Sequence, residues 1–381
     1  MDFDLSGPLA AFREEVRAFI HQEMTPELEE QIHRTGVSHD DRFVRQLAER
    51  GWVGGGWDRG DGTRPLNALE LHVLEDELTR VGAPIYASTT TEMVAKVVRI
   101  VGSDELKAMV IPGFLKGALT IALGQTEPEA GSDIAGIRTK ARRDGETWII
   151  DGQKMFTTNA HVADYVFLLT RTRTDPPRHA GLTMFLVPLD TPGIQIQAVY
   201  TMSGERTNIV FLNDVVVEDR WRVGEVGGGW KALMLAMQDE HSAPFSPHLA
   251  HLMELVEEWA RSNELLDEPR VRARLARWAT QLEVAQLLEW RATTMEARGD
   301  VPVAEGPMSK LFATEALVRG AEDLTELVGP DALRAESDPA SIAKGRIERA
   351  LRFSLGPVTY AGTSEVQRNI IARQACDLPR H

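Results

Sequence analysis

The spacing of apolar residues changes twice along the chain, and this restricts the possible folds more than any other sequence feature. In the first third, apolar residues recur at three- and four-residue steps, which is typical of amphipathic helices (Leu9, Phe12, Val16, Phe19, Ile20). From about residue 119, short β-branched and aromatic runs such as "DYVFLLTRT" and "LTMFLVPL" alternate with Gly and Pro turns. Long helical patterns return after Trp230. The prediction is an α+β multidomain chain with helical segments on either side of a compact antiparallel β segment.

Composition limits the classes of protein and partner. With 381 residues, the chain is long enough for two or three domains, and its net charge of −15 argues against nucleic acid as the main partner. Cys376 is the single cysteine, which excludes an intrachain disulfide and fits a reducing compartment. The sequence contains neither a signal-peptide pattern nor an apolar run long enough to span a membrane. We therefore expect a cytoplasmic protein without a membrane span.

Two polar stretches lie in the predicted β segment. "GQTEPEAGSD", residues 124–133, combines glycines with the hydroxyls of Thr126 and Ser132, and it is typical either of a ligand loop or of an ordinary hydrophilic connection. In "DGQKMFTTNA", residues 151–160, Asp-Gly predicts a hairpin turn, and Phe156 and Thr158 then share one face of the next strand. This pair suits a flat heterocycle, although a core aromatic beside a surface threonine fits the same pattern.

Two helical stretches near the end also contain candidate residues. Glu240 follows Trp230 by ten residues, so it falls near the same apolar face of a helix, where a desolvated carboxylate suits general-base work. A solvated glutamate near a helix end is the alternative. In "YAGTSEVQ", residues 360–367, Ser364 and Gln367 form a capping-box pattern. His248, His251 and Glu254 share a helix face, but they lack the HExxH arrangement, so we expect no metal site.

Four of these stretches, in the same order, resemble the acyl-CoA dehydrogenase flavoproteins. They are "TEPEAGSD", "DGQKMFTTNA", "FLNDVVVEDRWRVGEVGGGW" and "YAGTSEVQRNIIAR". The resemblance covers nearly the whole chain. It implies an N-terminal helical domain (1–118), a central antiparallel β-barrel-like domain (119–228) and a C-terminal four-helix domain (229–381), with FAD held between the last two.

The resemblance also assigns roles to individual residues. Leu123, Gln125 and Thr126 match the segment that holds the pyrimidine end of the flavin. Gly131 and Ser132 match the part near the flavin phosphates and the coenzyme A chain. Phe156 takes the place of an aromatic packed against the isoalloxazine, Thr158 that of a hydroxyl near flavin N5, and Thr363 that of a flavin contact.

In the family's reaction a base removes the α-proton of an acyl-CoA thioester while the β-hydride passes to the flavin. Many members place this base directly after the tyrosine of the terminal motif, where this chain has Ala361. Others place it on the helix ten residues past the aromatic of the glycine-rich segment, and counting from Trp230 gives Glu240. The resemblance therefore implies Glu240 as the base. The backbone N–H of Ala361 remains as a donor to the thioester oxygen.

Three features depart from the usual family pattern. His241 replaces the arginine that normally follows the helix glutamate, so we expect the anchoring of the substrate or of the glutamate to differ here. "LLDEPRVRARLARW" and "ELVGPDAL" replace the two motifs that form the usual FAD clasp of the homotetramer. Together with the "TN" of "RTNIVFLNDVVV", these changes are similar to an actinobacterial subgroup that acts on steroid side-chain thioesters and includes heteromers.

The leading hypothesis is an FAD-dependent acyl-CoA dehydrogenase that makes a trans-2-enoyl-CoA. An electron-transferring flavoprotein would be its oxidant, and the assembly would be a homo- or hetero-oligomer, dimeric or tetrameric. One alternative is a flavin-dependent monooxygenase on the same scaffold, which the lack of a carboxylate at Ala361 favours and Glu240 opposes. Another is a subunit that needs a partner chain to complete the FAD site.

Overall fold

The computed structural model describes residues 7–175, 177–240 and 244–379. Their contacts divide the chain into two compact units. The first contains the described residues up to Gln22, the segment Leu66–Ala83 and the described residues after 240. The second contains Glu23–Pro65 and Pro84–Glu240. Segments that are distant in sequence therefore belong to the same compact unit.

The helices of the described residues are, in chain order, α1 (Pro8–Glu23), α2 (Pro26–Thr35), α3 (Asp41–Glu49), α4 (Ala68–Arg80), α5 (Tyr86–Val101), α6 (Asp104–Leu115), α7 (Gly229–Glu240), α8 (Ser246–Ser262), α9 (Pro269–Ala297), α10 (Glu305–Val328), α11 (Arg346–Ser354) and α12 (Ser364–Gln374). The strands are β1 (Ile121–Gly124), β2 (Lys140–Asp144), β3 (Thr147–Lys154), β4 (Tyr165–Arg171), β5 (Leu182–Pro188), β6 (Ile194–Tyr200), β7 (Arg206–Glu218) and β8 (Arg222–Val223). The predicted order of helices, strands and helices is confirmed.

Local sequence signals account for several helix boundaries. The apolar stripe of α1 is buried as predicted, with Val16 and Phe19 at most 3% exposed. The hydroxyl of Ser103 accepts the N–H of Leu106 and caps α6, where the sequence predicts a helix start. Asn67 and Glu70 form a complete capping box at α4. Short-range chemistry is therefore sufficient to place these starts.

The strands form one sheet in the order β6-β7-β3-β2-β4-β5-β8, and β1 pairs with β4. Most neighbours are antiparallel, as predicted, but β1 runs parallel to β4, with Leu123 opposite Phe167. β4 and β5 are buried along almost their whole length, whereas β7 ends in alternating buried and exposed residues. Inward side chains such as Ile150, Leu168 and Val210 are fully buried in the core of this unit.

The first unit has its core between long helices. α10 packs against α8, α9, α11 and α12. Its centre is apolar and includes Leu249, Leu317 and Ile347, none more than 1% exposed. Trp278 adds a polar link, because its indole N–H donates to Asp323 across α9 and α10 at 2.7 Å. This packing fixes the position of the turn between α11 and α12.

Candidate active site

A buried ion pair joins the polar loop after β1 to the end of β3. The Nζ of Lys154 lies 2.8 Å from Oε1 of Glu127 and also donates to the carbonyl of Gln125 at 3.2 Å. The Glu127 carboxylate accepts the backbone N–H groups of Arg138 and Thr139 as well. Lys154 is fully buried and Glu127 is 7% exposed. These bonds hold the backbone at residues 125–127 against the sheet.

Both partners of this pair have shifted pKa values. Burial lowers the pKa of Lys154 to about 8, although the neighbouring Glu127 carboxylate opposes that shift. Burial would raise the pKa of Glu127, but the positive charge of Lys154 and three hydrogen bonds outweigh it and leave the pKa lowered. The pair is therefore mainly in its charged form at neutral pH.

The positions of Phe156 and Thr158 differ from the prediction. Strand β3 ends at Lys154, so both residues lie in the turn beyond it and do not share a strand face. The hairpin turn before β3 uses Gly145, whereas Gly152 lies inside β3 at a shift of register. The strand ends because the backbone turns to a positive φ at Phe156, directly beyond Lys154 and Met155. At Gly152, φ is +151° and a Cβ atom would lie within 3 Å of Thr139, so glycine there allows the close approach of Thr139.

The turn beyond β3 nevertheless presents an aromatic ring. Phe156 has φ +54° and is 58% exposed, which is unusual for a large apolar side chain. The hydroxyl of Thr158 lies 3.2 Å from that of Thr207. The backbone N–H of Met155 donates to the carbonyl of Thr126 at 2.8 Å, so the turn and the polar loop are adjacent. The structure thus brings Gln125 and Thr126 to the same edge as Phe156.

Several buried polar atoms at this edge have no hydrogen-bond partner among the described residues. They are Nε2 of Gln125, Oγ1 of Thr157, both amide atoms of Asn159 and Nε2 of His161. Thr157 and Asn159 are at most 1% exposed. Buried polar groups in proteins are normally paired, so such a cluster beside an exposed aromatic fits a ligand with donors and acceptors around a flat ring. These residues therefore fit a flavin.

His161 belongs to this group as a neutral imidazole. Burial, followed by the nearby positive charge of Arg206, lowers the pKa of His161 to about 4. Its Nδ1 lies 3.3 Å from the amide nitrogen of Asn208, which also donates to the carbonyl of Thr157 at 3.0 Å. In that arrangement Nδ1 accepts and Nε2 bears the proton. His161 is thus a buried donor that the sequence analysis missed.

The other loop residues lie along the same segment. Leu123 is a half-buried residue of β1, and Gly131 and Ser132 are exposed at the end of the loop. Apart from its two chain neighbours, no described residue has a heavy atom within 4 Å of the position that a Cβ would take at Gly131. This part of the loop therefore leaves room for a ligand next to the backbone.

In the first unit, the turn before α12 differs from the predicted capping box. The N-cap is Thr363, whose hydroxyl accepts the N–H of Val366 at 3.3 Å, and Ser364 is the first helical residue. Gln367 does not reach back to the cap; its side-chain amide donates to the carbonyl of Ala361 at 2.8 Å. The cap moves by one residue because the buried Gln367, 0% exposed, holds the turn at Ala361.

Ala361 has an unusual backbone for a residue that is not glycine. Its φ is +54°, and its N–H donates to no acceptor among the described residues. Its methyl group packs in a small apolar cluster with Phe245, Ala285 and Ala313. A free, nearly buried N–H in a fixed conformation can bind an oxygen atom of a ligand.

The remaining predicted residues are only partly described. Glu240 is the last residue of α7, and its side chain lies outside the described part of the chain, as does all of His241. The helix itself is confirmed, with Leu233 and Ala236 fully buried. At α8, Glu254 pairs with Arg80 at 2.7 Å. Among the described residues, no group of three or more His, Cys, Asp or Glu could hold a metal ion, and no helix is long and apolar enough to cross a membrane.

Four residues of this edge were not predicted from the sequence, although they lie in or beside the quoted motifs: Glu127, Lys154, Asn159 and His161. One signal was available for Lys154. Trp148 and Ile150 point inward from β3. Lys154 lies an even number of residues further along the strand, so it is expected on the same face. A lysine at such a position indicates a buried cation with a partner.

Comparison with known proteins gives consistent results along the chain. Three family models match: the acyl-CoA dehydrogenase N-terminal domain at residues 9–118, the middle domain at 122–219 and the C-terminal domain at 227–376. The acyl-CoA dehydrogenase FadE26 of Mycobacterium tuberculosis is 33% identical over 387 residues, covering 97% of this chain and 96% of FadE26.

Two solved structures are similar over the whole fold. The "Tcur3481-Tcur3483 steroid ACAD" has a TM-score of 0.91 at 32% identity and covers 100% of both chains. The ChsE4-ChsE5 complex from Mycobacterium tuberculosis has a TM-score of 0.92 at 31% identity, also with 100% coverage of both. With matching domains, a matching fold and the flavin-compatible edge described above, this chain belongs to the acyl-CoA dehydrogenase family of flavin-dependent oxidoreductases.

Proposed function

We propose that the protein catalyses α,β-dehydrogenation of an acyl-CoA thioester to a trans-2-enoyl-CoA, with FAD as its flavin. The observation that supports this most directly is the backbone N–H of Ala361, which is held at φ +54° and has no acceptor among the described residues. Removal of an α-proton places negative charge on the thioester oxygen, and a fixed donor stabilises that charge. When bound, FAD would supply the acceptor for the hydride that leaves the β-carbon.

We assign the cofactor contacts to the edge formed by the polar loop and the turn after β3. The unpartnered side chains of Gln125, Thr157 and Asn159 would supply hydrogen bonds to the ring system, and the exposed Phe156 would pack on it. Leu123, Thr126, Thr158 and Thr363 are proposed as further flavin contacts, and Gly131 and Ser132 as contacts near the phosphates and coenzyme A. His241 is proposed to contact substrate.

Glu240 is the proposed base. It ends α7, whose apolar face is buried, and a carboxylate that is kept from water has a raised affinity for protons that suits it to this step. The decisive comparison is Glu240→Gln against Asp239→Asn, which changes the adjacent carboxylate. We expect Glu240→Gln to remain folded and yellow but unable to bleach anaerobically with acyl-CoA. Full turnover of this variant would overturn the assignment.

The same experiment separates the proposal from a flavin-dependent monooxygenase. Wild-type flavin that bleaches under anaerobic conditions with acyl-CoA supports dehydrogenation. Oxygen consumption with supplied reduced flavin, without anaerobic bleaching, would support the monooxygenase.

A screen over short, long, branched and steroid-like thioesters identifies the substrate class. We propose a steroid side-chain thioester because one similar structure is titled a steroid ACAD.

We further propose a hetero-oligomer of this chain with a related subunit, and an electron-transferring flavoprotein as oxidant. The sequence lacks the usual motifs of the adenosine clasp, and two similar structures are named as pairs of different chains. Domain boundaries at 118/119 and 228/229 are part of the same proposal. If the chain purified alone binds about one FAD per subunit, it needs no partner to complete the site, which would contradict an FAD site shared with that subunit.

A further inference from the structure

The turn that precedes α12 is organised around a buried ammonium group. Lys310 extends from α10 and is 1% exposed. Its Nζ donates to three backbone carbonyls: Pro357 at 3.0 Å, Tyr360 at 2.7 Å and Gly362 at 2.6 Å. Neither the sequence motifs nor the proposed reaction accounts for a lysine at this position.

The three carbonyls indicate that Lys310 is protonated. An ammonium group has three N–H donors, and each of the three carbonyl oxygens takes one. A neutral amine has only two N–H groups and would turn its lone pair toward the third oxygen. The ammonium also lies 5.7 Å from the centre of the Phe245 ring, which favours a cation. The site is therefore built for positive charge.

One of the three bonds acts on the peptide group of Ala361. The carbonyl of Tyr360 and the N–H of Ala361 belong to the same peptide unit, so a cation at 2.7 Å from that oxygen draws electron density away from the nitrogen. This makes the N–H a stronger donor. The N–H itself has no acceptor among the described residues, so the polarised donor is available to a ligand.

We propose that Lys310 is a positioning residue that polarises the Tyr360–Ala361 peptide and so strengthens the Ala361 N–H as a donor to the thioester oxygen. The donor role rests on the proposed function, whereas the polarisation is a property of this chain alone. Gln367 completes the arrangement from the other side, because its amide donates to the Ala361 carbonyl and fixes the turn without contacting the Tyr360 oxygen.

The first test measures the peptide directly in the full chain with its bound flavin. The chain contains only two Tyr-Ala pairs, at Tyr86 and Tyr360, so ¹³C-carbonyl tyrosine with ¹⁵N-alanine gives two NMR signals. Ala361→Gly removes one of them and assigns it. In Lys310→Met we expect the ¹⁵N signal of Ala361 to move upfield. In the matched variant Gln367→Met, which keeps the bond to Tyr360, we expect a smaller movement.

The second test measures catalysis with the best acyl-CoA from the bleaching screen. For Lys310→Met we expect kcat to fall about 10- to 100-fold, somewhat less than the loss of a whole oxyanion donor, with little change in KM. The carbonyl stretch of bound enoyl-CoA is measured by isotope-edited infrared difference spectroscopy. In Lys310→Met, its frequency should lie closer to the frequency in water than it does in the wild type. Gln367→Met loosens the turn but keeps the bond from Lys310 to Tyr360, so it should change the carbonyl frequency less than Lys310→Met does.

Because Lys310→Met removes one donor from each of three carbonyls, Lys310→Gln is the second variant. It keeps neutral donors and should give intermediate values. Equal ¹⁵N shifts and equal carbonyl frequencies in the Lys310 and Gln367 variants would overturn the proposal, and so would wild-type values in Lys310→Gln. If the ¹⁵N shift responds but no acyl-CoA bleaches the wild-type flavin, the dehydrogenase function fails and the polarisation stands.

Discussion

Lys154 and Glu127 form a buried ion pair at 2.8 Å that fixes the loop proposed to bind the flavin. The ammonium also donates to the Gln125 carbonyl, and the carboxylate accepts two backbone N–H groups from the far end of the loop. A pair of this kind need not stabilise the fold more than apolar residues would, but removing one partner leaves an uncompensated charge. Its effect here is to define one conformation of the loop.

We predict that Lys154→Met releases this loop. The Glu127 carboxylate would remain buried without its cation, at a cost on the order of 3–5 kcal/mol, and the backbone at Gln125 would lose a donor. The purified variant should retain less flavin, measured as the ratio of absorbance at the flavin and protein bands, and should melt earlier. Arg138→Met is the control, because it removes an exposed ion pair with Glu129. Wild-type flavin content in Lys154→Met would contradict the role of the pair.

We predict that the effect of a substitution at Ala361 on kcat depends on whether the backbone N–H is kept. Glycine keeps the N–H and adopts φ +54° readily, so Ala361→Gly should retain most of kcat despite the lost methyl contacts. Proline removes the N–H and fixes φ near −65°, so Ala361→Pro should lose about 100-fold or more in kcat. Flavin content and melting temperature of each variant show whether the turn remains folded. Equal activity of the two variants would refute the N–H role.

We predict that Glu289, which contacts the start of α8, makes the free energy of unfolding depend on pH. This α9 side chain is buried and accepts the N–H groups of Phe245 and Ser246 at 2.9 and 2.8 Å. Burial raises the pKa of Glu289 to about 7, against those hydrogen bonds. Because the folded state holds a proton that the unfolded state releases, stability falls as pH rises from about 4.5 to about 7.

The corresponding measurement compares wild type and Glu289→Gln by thermal unfolding at pH 5 and pH 8. The amide of the variant does not titrate. The free energy of unfolding of the wild type, relative to that of the variant, should therefore decrease from pH 5 to pH 8 by an amount on the order of 1–3 kcal/mol. Glu283→Gln, at an exposed position on the same helix, is the control. If the difference between wild type and Glu289→Gln is independent of pH, Glu289 does not titrate in this range.

Sequence reasoning was most successful where short-range chemistry decides the structure. The start of α6 at Ser103 and the buried stripe of α1 follow from capping and from 3.6-residue periodicity. It was wrong for the end of β3 and for the cap of α12. The turn beyond β3 is held by the bond from the N–H of Met155 to the carbonyl of Thr126, and the turn before α12 by the buried amide of Gln367. Both bonds join residues that are not neighbours in the sequence pattern.

The sequence by itself determined the succession of helical, β and helical segments and the motifs that indicate a flavoprotein, because both are patterns of neighbouring residues. Only the tertiary structure decided which groups meet. It paired Lys154 with Glu127 and placed Lys310, 50 residues earlier in the chain, against the carbonyl of Tyr360. The strength of a backbone donor depends on the charges packed around it. No local pattern encodes those charges. The donor role of Ala361 could therefore be proposed from the sequence, but the polarisation of its peptide group by Lys310 could be inferred only from the tertiary structure.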